Sequence, residues 1–133
     1  MDTLDPKNEY LVISRGQWDS DASPEDIQRA IDEFYVWYER GLELGRLKPG
    51  SRLTTEGRVI TKNSVTDGPF AESRELIGGY WLILADSLDE AAAIAMENPC
   101  VAFGLTIELR PLDSSRAVAT AITNETPAQW VKA

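Results

Sequence analysis

Three observations predict an α+β fold in which an antiparallel sheet is covered on one face by two helices. Strand and helix signals follow the order strand, helix, strands, strand, helix, strand. Two helix starts carry a capping code: Ser23 and Pro24 followed by Asp26, and Ser87 followed by Glu90. Two strand segments, residues 10–13 and 80–84, are apolar at nearly every position, whereas a sheet with one wet face alternates.

The first eight residues are polar and are expected to be flexible. Tyr10, Leu11, Val12, Ile13 and Ser14 form a short β-rich run ended by Gly16, and residues 17–22 read as a polar loop. Ile27, Ala30, Ile31, Phe34, Tyr35, Trp37, Tyr38 and Leu42 then recur at helical spacing as one broad apolar stripe, with Gly45 as the stop. Residues 46–51 read as a turn through Pro49 and Gly50. Arg52, Leu53 and Thr54 pair in a predicted hairpin with Val59, Ile60 and Thr61 around Glu56-Gly57, with Lys62-Asn63 as an alternative turn. Asp67, Gly68 and Pro69 interrupt regular structure, and Phe70 directly after them points to an anchored loop.

Residues 79–85 give the strongest strand. Leu88, Ala91, Ala92, Ile94 and Ala95 give a short helix ending near Asn98-Pro99. Leu105, Ile107 and Leu109 alternate with Thr106, Glu108 and Arg110 before Pro111 closes the last strand. This order is the ferredoxin-like βαββαβ arrangement. Its helices cover one face only, so the second apolar face needs a cover. A second copy packed sheet against sheet in a two-fold homodimer is the economical candidate, and the tail of residues 113–133 is the alternative. Trp130 in that tail invites an arm that wraps the partner.

Composition narrows the function classes. At 133 residues, 43% hydrophobic and 26% charged, the chain is one domain with a real core. Its net charge of −9, from 22 acidic and 13 basic residues, disfavours nucleic acid and anionic membranes as partners. No apolar run approaches the roughly 20 residues that span a bilayer, and residues 1–6 lack the features of a secretion signal. The single cysteine, Cys100, cannot form an internal disulfide, and a cytoplasmic location is expected. Without histidine there is no Ser-His-Asp triad, no Cys-His pair and no His-ligated metal, and one cysteine makes no thiolate zinc site. No metal or cofactor is expected. Acid–base work falls to Asp, Glu, Lys or Tyr.

The run Val65, Thr66, Asp67, Gly68, Pro69, Phe70, Ala71, Glu72, Ser73, Arg74, Glu75, followed by Gly78, Gly79 and Tyr80, resembles the signature of the YCII-related, or DGPF-domain, proteins of bacteria. That pattern reads V-T-D-G-P-F-A-E-T-K-E, two variable residues, then G-G-Y-Y. Here Ser73 stands for the threonine, Arg74 for the lysine and Trp81 for the second tyrosine. Leu44, Gly45, Arg46, Leu47 and Gly50 resemble the family's segment after the first helix. Asn98, Pro99, Gly104, Ile107, Glu108, Arg110 and Pro111 resemble its closing strand. The resemblance covers residues 9–112. It implies a dimeric α+β barrel, a bacterial source and a poorly assigned activity, with a hint of regulation because some relatives lie beside sigma-factor genes. The His-Asp pair proposed for some members does not transfer to a chain without histidine.

Asp67 is the best catalytic candidate, as a general base or acceptor held by Gly68-Pro69; capping its own turn is the plainer role. Trp37 and Tyr38 can line an aromatic cleft between helix and sheet, or simply fill the core. Phe70 and Tyr80 complete the apolar candidates, with Tyr80 and Trp81 on opposite faces of their strand. Arg58 and Arg110 are the cations to bind a ligand carboxylate, with Glu108 an alternative partner for Arg110. Glu72, Arg74 and Glu75 form either a charged rim or a solvated cluster. Cys100 reads as buried and inert. Three functions stay open: a dimeric small-ligand-binding domain, a metal-free carboxylate-dependent isomerase or hydrolase, and a protein-interaction module linked to transcriptional regulation.

Overall fold

The computed structural model describes residues 7–67, 77–113, 118 and 120–130. The elements are β1 (Asn8–Arg15), α1 (Pro24–Glu43), β2 (Leu47–Arg52), β3 (Arg58–Ile60), β4 (Val65–Asp67), β5 (Ile77–Ala85), α2 (Leu88–Ala95) and β6 (Thr106–Pro111). Short 3₁₀ turns occupy Pro99–Phe103 and Ala128–Trp130. Four strands form one antiparallel sheet in the order β2-β5-β1-β6, and β3 pairs with β4 in a separate hairpin. The fold is thus α+β, with two helices against a four-stranded antiparallel sheet.

Both helix starts follow their capping codes. Ser23 Oγ accepts from the Asp26 amide at 3.0 Å with Pro24 in the first turn, and Ser87 Oγ accepts from the Glu90 amide at 3.1 Å. Each side chain satisfies an amide that the helix itself leaves unpaired. Gly45 adopts φ +74° just past α1, where a left-handed residue ends a helix without steric cost.

The helix-covered face of the sheet carries Tyr10, Val12, Trp81, Ile83 and Ala85, packed with Leu47, Ala91 and Ile94. Phe34, Trp37, Tyr38 and Leu42 of α1 close over this cluster. Val12 and Ile83 are fully buried, and each such side chain contributes about 1.5–3 kcal/mol. The opposite face pairs Glu9 with Leu84, Leu11 with Leu82, and Ile13 with Tyr80. Leu11, Ile13, Leu82 and Leu84 are half-buried there, and Tyr80 is 41% exposed. Ion pairs rim that apolar centre: Lys48 with Glu9, and Glu108 with both Arg15 and Arg110. In the tail, Val118, Ile122 and Trp130 are all exposed.

Two local expectations are corrected. Residues 46–51 do not turn through Pro49-Gly50: both residues lie within β2, which pairs with β5 across a register shift between Lys48 and Ser51. Gly50 belongs there because β5 passes so close that a Cβ would sit 2.0 Å from the Tyr80 carbonyl oxygen. The hairpin also does not pair residues 52–54 with 59–61. Arg58 lies opposite Asp67 and Ile60 opposite Val65, which puts the turn at Lys62-Asn63. Thr61 and Ser64 close it, with the Thr61 amide donating to the Ser64 carbonyl at 2.8 Å.

Candidate functional site

A cleft of about 400 Å³ opens between α1 and the end of the sheet where β1 stops and β5 begins. Its helix wall is Ile31, Phe34, Tyr35 and Tyr38, four positions that share one side of α1. Its floor is a cross-strand row: Ser14 of β1 and Arg52 of β2 both lie opposite Gly79 of β5. The next row holds Val12 and Trp81. Room exists at the floor because Gly50, Gly78 and Gly79 place no side chains there. Trp18, Asn98, Cys100 and Leu105 are also part of the lining.

The wall is aromatic and interlocked. The Phe34 and Trp81 ring centroids lie 5.2 Å apart, Phe34 stacks on Tyr38 at 5.6 Å, and Tyr38 meets Trp81 edge-on at 6.0 Å. Polar contacts fix two of these rings. Tyr38 Oη accepts from the Gly50 amide at 3.3 Å, and Tyr35 Oη accepts from Arg52 Nη1 at 3.5 Å. Trp81 Nε1 is buried and has no hydrogen-bond partner among the described residues. An orphaned donor of this kind costs about 1–3 kcal/mol.

Cys100 contributes a buried thiol whose Sγ faces the Ala30 carbonyl oxygen at 3.7 Å. Burial pushes its pKa up to about 11, which keeps it protonated and unreactive near neutrality. None of the described lining residues is Asp or Glu. Among the described residues, no group of three His, Cys, Asp or Glu side chains is placed to hold a metal ion.

The structure distributes the described sequence-derived candidates over four places. Tyr38 and Tyr80 border the cleft. Trp37 lies outside its described lining, with Nε1 donating to Glu97 Oε1 at 2.9 Å. Asp67 and Arg58 face each other across the β3–β4 hairpin in an exposed ion pair of 3.3 Å. Arg110 pairs with Glu108 at 3.2 Å on the sheet face away from the helices. Phe70, with Glu72, Arg74 and Glu75, falls outside the described residues. Trp18 and Arg52 are cleft residues that the sequence did not single out. A tryptophan in an otherwise polar loop was the available signal for the first.

The family model for the YCII-related domain matches residues 21–112, and the chain belongs to that family. A similar protein is an uncharacterised one from Rhizobium meliloti (strain 1021), 34% identical over 100 residues that cover 68% of this chain and 78% of that protein. No helix among the described residues is long and apolar enough to cross a membrane.

Proposed function

We propose that this protein is a cytoplasmic, homodimeric domain that binds a small organic molecule in the cleft between α1 and the sheet. The observation that carries the reading is the cleft itself. Its volume falls in the range of about 300–1,000 Å³ usual for small-molecule sites, and its surface is largely apolar, with Trp18, Phe34, Tyr35, Tyr38 and Trp81 in the lining beside a few convergent polar groups.

The dimer rests on the second sheet face. Its apolar centre of Leu11, Ile13, Leu82 and Tyr80, rimmed by charged pairs, has the composition of an interface core and rim. The strand order β2-β5-β1-β6 supports a ferredoxin-like topology, and two such sheets face to face would make a dimeric α+β barrel.

Indole N–H resonances test the binding site directly. The four tryptophans divide into Trp18 and Trp81 in the cleft and Trp37 and Trp130 outside its described lining. In a fragment screen followed by ¹⁵N-correlated NMR, binders are expected to move the Trp18 and Trp81 signals and leave Trp130 in place. Hits that move only Trp130, or a library that moves neither cleft indole, would sink the reading.

A further inference from the structure

We infer that the cleft selects a planar aromatic carboxylate, with Arg52 receiving the carboxylate group; this rests on the ligand-binding reading above. The structure places a cation at one end of an aromatic slot. Arg52 projects from the floor row Ser14, Gly79, Arg52, and its guanidinium has the Tyr35 phenol at 3.5 Å as its described polar partner.

Most other described basic residues are committed elsewhere. Arg15, Arg29, Arg46, Arg58 and Arg110 each pair with a carboxylate, as do Lys7 and Lys48. Arg52 forms no such pair among the described residues, although the chain carries a net charge of −9. A guanidinium left open in an acidic protein, in a cleft whose described lining holds no carboxylate, is a receptor for an anion.

The rest of the slot suits a flat ring. Phe34, Tyr38 and Trp81 form a continuous aromatic wall, and the side-chain-free floor of Gly78 and Gly79 lets a planar body lie against the backbone. The ring would supply buried apolar contact and the carboxylate the orientation. Ser14 and Ser51 lie in the same lining and can donate to a carboxylate oxygen.

The probes are 2-naphthoate and its uncharged counterpart 2-naphthamide, titrated by calorimetry and by the Trp18 and Trp81 indole signals. The wild-type protein should bind 2-naphthoate at least about tenfold more tightly. Arg52→Met, which keeps the aliphatic stem, should abolish that preference. Lys62→Met, which removes one charge from the β3–β4 turn, should keep it. Circular dichroism shows that each variant is folded. Equal affinity for the two probes, or a preference that survives Arg52→Met, overturns the carboxylate assignment while the shifted indole signals uphold the cleft. If neither probe moves the Trp18 or Trp81 signal, both readings fall.

Discussion

Trp37 ties α1 to the turn that follows α2: its indole Nε1 donates to Glu97 Oε1 at 2.9 Å, across 60 positions of chain. Arg46 completes the cluster, with Nη2 3.2 Å from the same oxygen. The Trp37 hydrogen bond, then Arg46, holds the Glu97 carboxyl below its ordinary pKa of 4.5, with burial opposing both.

Acid stability follows from that cluster and from Glu108. Hydrogen bonds from Arg15 and then Arg110 lower the pKa of Glu108 too. In both cases the folded pKa is below the unfolded one, so the stabilisation is present above the unfolded value of 4.5 and is lost as pH falls through the folded value. The urea midpoint should therefore decline from pH 6 to pH 3. Glu97→Gln and Glu108→Gln should each flatten the decline, and at pH 7 Glu97→Gln should cost under about 1 kcal/mol, as exposed pairs do. Variants as acid-sensitive as the wild type would show that these carboxylates do not drive the effect.

Gly50 and Gly78 should respond oppositely to alanine. A Cβ on Gly50 meets the Tyr80 carbonyl oxygen at 2.0 Å, whereas on Gly78 the nearest atoms are Ser14 oxygens at 4.0 Å. Gly50→Ala should lower stability by roughly 1–3 kcal/mol, because backbone rather than a movable side chain must yield. Gly78→Ala should be neutral or stabilising by up to about 1 kcal/mol through the unfolded chain. Chemical denaturation of both variants checks the contrast.

Light scattering after size exclusion should give twice the 14.7 kDa of one chain. Leu82→Glu places a charge beside Leu11 at the centre of the apolar face and should give a folded monomer. A wild-type mass of one chain would remove the dimer from the proposal.

Cys100 should be slow to label. With its pKa pushed from 9.0 to about 11, the thiolate fraction at pH 7.5 is about 100-fold below that of an unshifted cysteine. Ellman's reagent should react at least that much more slowly with the native protein than with the urea-unfolded chain.

Local chemistry in this chain was readable in advance. The Ser23 and Ser87 caps, the Gly45 stop and the double-sided apolar strands each depend on residues close together in sequence. Long-range placement was not. Pro49 and Gly50 have turn composition, and pairing with β5 overrides it. Arg58 meets Asp67 because the hairpin turns at Lys62-Asn63, a choice that local propensity left open. Arg52 reaches the cleft through a register that sets Ser14 and Arg52 on either side of Gly79, which no spacing along the chain reveals.

Both outer strands of the sheet contain a proline, Pro49 in β2 and Pro111 in β6. Neither border offers an unbroken row of amide donors, and the irregular register of β2 distorts one of them further. The molecule is thereby guarded against recruiting foreign strands edge to edge, the route by which sheets grow into fibrils. The dimer proposed above would use the broad surface instead, where growth stops at a closed pair.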